Sequence, residues 1–212
     1  MIELSEALEL VVQNAYKNTS ETVAVAQASN RILAEDITAP INLPPFNASA
    51  MDGWAVNTNS TPPLKIQGES KAGSTEKYKL QEGHAIQIFT GSAIPEGSDC
   101  VIRIEDITKT ETTIDFDPKL LVKDQFIRHE GNHVQKETVV LEKGQKLHSA
   151  GIALIQHLGI TEVKVRKNPK VSVFVTGDEL VDPGQALEYG QIYESNSVMI
   201  QSALEKDGIS DI

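Results

Sequence analysis

Leu4, Leu8, Val11, Val12, Ala15 and Tyr16 recur at the three-and-four spacing of a single helix face, so the pattern predicts a helix over residues 4–17. Ser5 is available as its cap, and Glu3 and Glu6 sit near the positive end of the helix dipole. "TVAVAQA" then alternates as a short strand does, and "SNRILAED" reads as a capped single turn that docks Ile32 and Leu33 on a core. From about residue 54 to 140 the period shortens to two. "WAVNT", "PLKIQGE", "HAIQIFTG", "DCVIRIED", "TTIDF" and "ETVVLEKG" are separated by Gly, Pro, Asp and Asn, which predicts a β-rich unit. "SAGIALIQHLGI" breaks that texture with a helix pattern: Ser149 is its cap, Ile152, Ile155 and Leu158 are its face, and Gly159 is its stop. "TEVKVRKNP" follows as an alternating strand.

At Val171 the texture changes again. "VSVFV" is the unbroken apolar run of a strand buried on both faces of a parallel sheet. "SNSVMIQSALEKDG" has helix spacing, with Ser195 or Asn196 as cap and Gly208 as stop. One strand and one helix cannot cover both faces of a parallel sheet, so the expectation is an α/β unit completed by a partner or by further chain.

Composition narrows the function classes. A chain of 212 residues that is 40% hydrophobic has material for more than one core. No run approaches the roughly 20 apolar residues of a membrane span, and "MIELSEALELVVQNAY" lacks the basic start of a signal peptide. The expectation is a cytoplasmic protein that does not bind membranes. The single cysteine, Cys100, cannot form an internal disulfide and lies in a predicted strand, where a buried inert thiol is expected. A net charge of −11 repels phosphate polymers and anionic lipid, so nucleic acid is not an expected partner. A small anionic ligand needs local N–H groups, basic side chains or a divalent cation to offset that field.

Three stretches offer such local chemistry. In "LPPFNASAMDGWAV", Pro44 and Pro45 enforce extended geometry, Asn47 to Ala50 are small, and Asp52 precedes Gly53. The stretch suits a connector with an Asp-Gly turn and equally a shaped loop that presents a carboxylate. In "FTGSAIPEGSDCVIRIED", Thr90, Gly91 and Ser92 place hydroxyls and N–H groups at a loop tip able to cradle an anion, although a long β-hairpin connection explains it too. In "VFVTGDELVDPG", Thr176, Gly177, Asp178 and Glu179 lie at the carboxyl end of an apolar strand, where open α/β sheets bind ligands. Two adjacent carboxylates there suit Mg²⁺, or simply solvate an acidic loop. His84, His129, His133, His148 and His157 have no metal-ligand spacing, and Arg103 and Arg128 either hold phosphate or pair with Glu105 and Glu130.

Taken together, "PPFNASAMDGWA", "TGSAIPEGSDCVIRIED", "RHEGN", "GQKLHSAGIALIQHLGITEVKVRKNPKVSVFVTGDELVDPG" and "GQIYESNS" span most of residues 31 to 197. In this order and spacing they resemble the MoeA family of molybdenum-cofactor enzymes, whose fold the E domain of gephyrin shares. The resemblance implies a multidomain protein with a mainly β N-terminal region. Residues 1–50 and 140–168 would form an elongated domain, 51–139 an inserted β-rich domain, and 169–212 the incomplete start of a MogA-like α/β domain. It implies a Mg²⁺-dependent transferase of molybdenum cofactor biosynthesis, with adenylylated molybdopterin and molybdate as substrates. It also implies a homodimer, with a MogA-like adenylyltransferase as a further partner.

Carried over residue by residue, the resemblance makes Asp52, Thr90 and Glu179 catalytic, with Asp52 and Glu179 on the metal and Thr90 donating to an oxyanion. Ser49, Gly91, Ser92, Thr176, Gly177 and Asp178 become cofactor-binding. Two positions depart from the family pattern: Asn47 and His133 stand where carboxylates are common. They leave open the alternative of a non-catalytic scaffolding or ligand-binding paralogue on the same fold.

Overall fold

The computed structural model describes residues 2–15 and 19–212. In chain order, helix α1 is Leu4–Asn14, followed by strands β1 (Ser20–Ala24), β2 (Ile37–Thr38), β3 (Ala48–Ser49), β4 (Gly53–Val56), β5 (Leu64–Ser70) and β6 (His84–Ile88). Next come β7 (Cys100–Arg103), β8 (Thr108–Lys109), β9 (Thr113–Asp115), β10 (Ile127–Arg128) and β11 (Val139–Leu141). Helix α2 (Ser149–His157), β12 (Glu162–Arg166), β13 (Leu180–Val181), β14 (Ile192–Tyr193) and α3 (Asn196–Lys206) complete the order. The chain divides into two compact units, Thr38–Thr138 and the pair Met1–Ile37 with Val139–Ile212.

The Thr38–Thr138 unit is built on a six-stranded sheet in the order β7-β4-β6-β5-β9-β8. Only β5 and β6 run parallel, joined by the long connection that a parallel pair requires. β4 lies between β6 and β7, and all four of its residues are buried. Alternation along it feeds two cores. Trp54 and Val56 pack with Leu64, Cys100, Ile102, Ile114 and Phe116, whereas Ala55 packs with Ile88 and Val101 beneath Ile94, Phe126 and Ile127. Each fully buried apolar side chain of this kind stabilises the unit by about 1.5–3 kcal/mol. Cys100 is buried as the strand pattern predicts, and desolvation pushes its thiol pKa up.

In the other unit β1 pairs antiparallel with β12, setting Val23 opposite Val163. Val163 and Val165 face a core that contains Val25, Leu33, Leu147 and Ile155 of α2, while Glu162 and Lys164 between them are exposed. The expected turn at "SNRILAED" is confined to Ser29 and Asn30, closed by Arg31 N–H to Ala28 O; Ile32 and Leu33 then bridge to Lys146 and Val165, and Leu33 docks in the core. Helix α1 begins where expected, but its N-cap is Glu3 without a side-chain bond, and Ser5 lies inside the first turn. Residues 16 and 17 of the expected helix lie outside the described residues. No residue of α1 is buried: Leu4, Val11 and Val12 are each at least two-thirds exposed.

The largest difference from expectation is "VSVFV". Residues 171–175 form no strand, and Phe174 is exposed. An apolar run becomes a central strand only when neighbours pair with both edges, and none of the described strands pairs with it. The α/β character that is present comes from the parallel pair β13–β14 followed by α3. Ser195 occupies the N-cap of α3 without a side-chain bond; the Glu194 carboxylate instead accepts the Ser197 hydroxyl and N–H, which lowers its pKa. No helix among the described residues is long and apolar enough to cross a membrane.

Candidate functional site

The "NASAMDG" stretch is woven between two loops rather than strung as a simple connector. β3 pairs with β10, which sets Ser49 opposite Ile127 and Ala48 opposite Arg128. On its other side, Ser49 N–H donates to Ser92 O and Gly91 N–H donates to Ser49 O, both at 2.9 Å. The Ser49 hydroxyl donates to Met51 O at 2.6 Å and closes the bend that follows. Ile104 N–H donates to Asp52 O at 3.2 Å, and Gly53 enters the sheet against Ile102 and Arg103. Asp52 is thus delivered to the surface from a backbone held on both sides.

Its side chain meets Thr90 at the end of β6. Thr90 N–H and the Thr90 hydroxyl both donate to Asp52 Oδ1, each at 2.7 Å. The N–H first and the hydroxyl second hold the Asp52 carboxyl below the usual carboxylate range. Among the described residues nothing bonds Oδ2. Asp99 makes the useful contrast: its Oδ1 accepts Thr58 N–H and its Oδ2 accepts the Thr58 hydroxyl, so both oxygens are consumed. Asp99 is built to hold a turn, whereas Asp52 keeps an ionised oxygen facing solvent.

A testable consequence follows from the sign of that shift. A depressed pKa stabilises the fold while Asp52 is ionised; the contribution is complete at neutral pH and fades as pH falls through the depressed value. Thr90→Val removes the hydroxyl donor and keeps the stronger N–H donor. The Asp52 titration midpoint, followed by carboxyl NMR, is expected to move up part of the way toward an ordinary aspartate. An unmoved midpoint would show that the hydroxyl does not hold the carboxylate.

The same bonds alter the picture of the Thr90 loop. An anion cradle needs free N–H groups, but those of Thr90, Gly91 and Ser92 donate to Asp52 Oδ1, Ser49 O and Phe89 O. The loop spends its donors on cross-loop acceptors that the sequence does not place beside it. Ser49 and Ser92 are 0% and 1% exposed, so both lie inside the unit instead of on a ligand-facing surface. Ser92 Oγ has no partner among the described residues. Arg103, one of the two candidate phosphate holders, is bonded through Nε and Nη2 to Asp106 instead of Glu105, and its guanidinium stacks over Phe126. The Asp106 carboxylate holds its pKa up.

Thr176, Gly177, Asp178 and Glu179 belong to the other unit. Leu180 N–H donates to Gly177 O and Ile192 N–H to Glu179 O, so a turn leads directly into the β13–β14 pair. The Glu179 carboxylate folds back over the turn, 2.8 Å from where a Cβ on Gly177 would stand. Asp178 and Glu179 are exposed, and their carboxylates accept no hydrogen bond from a described residue. Asp52 in its unit and Asp178 with Glu179 in theirs therefore offer open oxygens. One or two such carboxylates are what Mg²⁺ takes while keeping most of its water. No group of three or more His, Cys, Asp or Glu among the described residues could hold a metal.

Sequence reasoning marked Asn47 only as a departure from the family pattern and missed Asn42 and the bonds that both asparagines make. Asn47 Oδ1 accepts Glu130 N–H at 2.9 Å, and Asn42 reaches Glu130 Oε1 and Lys136 N–H. The only local signal was their position beside the prolines.

Residues 2–159 match the MoeA N-terminal region, domain I and II. The chain is 41% identical over 211 residues to a molybdopterin molybdenumtransferase of Haemophilus influenzae, covering 97% of this chain and 52% of that protein. It is 34% identical over 216 residues to the one of Staphylococcus aureus, covering 98% and 51%. Its fold matches a crystal structure of the molybdopterin biosynthesis MoeA protein of Pyrococcus horikoshii with a TM-score of 0.84 and 33% identity, over 97% of this chain and 57% of that one. The chain spans about half the length of the curated relatives it matches. With its mainly β architecture and its N-terminal match both in place, the chain belongs to the MoeA family.

Proposed function

We propose that this chain is the N-terminal portion of a molybdopterin molybdenumtransferase, which inserts molybdate into adenylylated molybdopterin with release of AMP. The observation that carries the reading is the Asp52 carboxylate: ionised, exposed, fixed by Thr90 through Oδ1 and open at Oδ2. The relatives named for this activity align along nearly the whole chain.

Asp52 in its unit and Glu179 in its own are each read as a carboxylate that would take Mg²⁺. When bound, the ion neutralises phosphate oxygens that a chain of net charge −11 otherwise repels. Thr90 acts on Asp52 rather than on the substrate: its hydroxyl donates to Oδ1 and sets the direction of Oδ2. Gly91 supplies the φ of +84 that the loop needs, in open space. Thr176, Gly177 and Asp178 supply small and acidic contacts to the cofactor end of the substrate. No side-chain nucleophile is required; the residues act by positioning and by charge.

Residues 169–212 are read as the start of a MogA-like α/β domain, supported by the parallel β13–β14 pair and α3. Residues 51–139 are read as an inserted β-rich domain, and 1–50 with 140–168 as an elongated one. A homodimer is supported by the wholly unburied α1, whose Leu4, Leu8, Val11 and Val12 form an apolar face that water does not favour. The adenylylated substrate must come from an adenylyltransferase, the role of a MogA-like partner in the cytoplasm.

The full-length protein, given adenylylated molybdopterin, molybdate and Mg²⁺, is expected to form molybdenum cofactor and AMP only when molybdate is present. Substrate binding without molybdate-dependent AMP release would overturn the reading in favour of a ligand-binding paralogue.

A further inference from the structure

We propose that Asn47 is a positioning residue that couples the Thr90–Ile94 loop to the exposed Arg128–His133 loop through one side-chain acceptor. The main-chain ladder between β3 and β10 ends at Ala48 and Arg128. The next carbonyl, Asn47 O, is already taken on the opposite side, where Ile94 N–H donates to it at 2.9 Å. Pro44 and Pro45 have no N–H to continue the ladder. The Asn47 side chain fills the gap: its Oδ1 accepts Glu130 N–H at 2.9 Å. One residue therefore bonds both flanking loops, the first with its backbone and the second with its amide.

The surroundings show that the second loop is built to be held. Asn42 Nδ2 donates to Glu130 Oε1 at 2.6 Å while its Oδ1 accepts Lys136 N–H at 2.7 Å. Gly131 N–H donates to Pro44 O, and His133 N–H to Leu43 O. Gly131 has φ +71, which favours glycine, and a Cβ there would press on Asn42 Oδ1 at 3.2 Å. Every described backbone donor from Glu130 to Val134 is engaged, yet the side chains of Arg128, His129 and His133 are exposed. A rigid backbone that presents cationic and titratable side chains suits an anionic substrate, and this step rests on the function proposed above. What position 47 requires is an oxygen acceptor, which either an amide or a carboxylate supplies.

The test compares Asn47→Ala and Asn47→Asp in the full-length protein, using hydrogen–deuterium exchange of residues 127–134 and steady-state kinetics with adenylylated molybdopterin. Asn47→Ala is expected to speed exchange at Glu130 about tenfold and to raise KM several-fold, with kcat little changed. Asn47→Asp is expected to restore both. Unchanged exchange in the alanine variant overturns the proposal, as does an aspartate variant that behaves like alanine, or faster exchange with no change in KM. If even the unsubstituted protein turns over no substrate, the functional reading fails, while the exchange comparison still decides whether Asn47 pins the loop.

Discussion

Asp52→Asn in the full-length protein is expected to lower molybdate-dependent cofactor formation by roughly 10²-fold or more, the usual loss when one preorganised electrostatic group is removed. The substitution is nearly isosteric, and the amide oxygen still accepts the Thr90 N–H and hydroxyl that now converge on Oδ1. Fold and loop geometry should therefore survive. What changes is the outward atom: an ionised Oδ2 becomes an N–H₂ group, a donor where a cation or a ligand N–H needs an acceptor. The measurement is kcat/KM at neutral pH beside a thermal melt. A large fall in turnover with the fold retained and only a small drop in melting temperature, from the lost charge on the Thr90 bonds, supports the assignment, and unchanged turnover removes Asp52 from the site. Excess Mg²⁺ should recover part of the loss if the defect is weakened cation binding.

The contrast between Asp52 and Asp99 shows where sequence reading stops. Both are aspartates immediately preceding a β-strand, and both accept N–H and hydroxyl bonds from a distant threonine. Only the distribution of those bonds over the two oxygens separates a turn-holding aspartate from one with an open ligand atom. That distribution depends on loop trajectories, which no periodicity encodes. The β-rich texture was legible because alternation at "WAVNT", "HAIQIF" and "DCVIRI" is a local consequence of burial on opposite faces. The family was legible because its motifs persist in order along the chain.

"VSVFV" was misread for the opposite reason. An apolar run states that a segment is suited to burial, but pairing is decided by what lies beside it, and none of the described strands does. The anion cradle expected at Thr90–Ser92 fails similarly, since its N–H groups are consumed by Ser49 O, Phe89 O and Asp52, two of them brought in by a segment some forty residues away. Asn47 is the instructive departure. A missing carboxylate suggested lost chemistry, yet its amide oxygen accepts the Glu130 N–H as a carboxylate oxygen would.

Gly53→Ala is expected to be the most destabilising single-methyl change in the Thr38–Thr138 unit. A Cβ at this position would sit 2.0 Å from Ile102 O, 2.9 Å from Ile102 C and 3.1 Å from Arg103 Cα. All three are backbone atoms of β7, so no side chain can swing away. The alternatives are to part β4 from β7, which sacrifices ladder bonds and opens the core around Trp54 and Ile102, or to rotate β4, which breaks its pairing with β6 as well. Either route costs at least about 3 kcal/mol, in the range of severe overpacking against an unyielding neighbour. Gly53 is not at positive φ, so the demand is for space rather than for backbone freedom. Because Asp52 is the preceding residue and its carbonyl accepts Ile104 N–H, any shift of β4 also redirects the carboxylate. Stability and turnover should fall steeply together, unlike Asp52→Asn, where the loss is mainly of turnover. A Gly53→Ala protein that melts within a degree or two of the unsubstituted protein would show that β4 and β7 do not approach as closely as the structure has them.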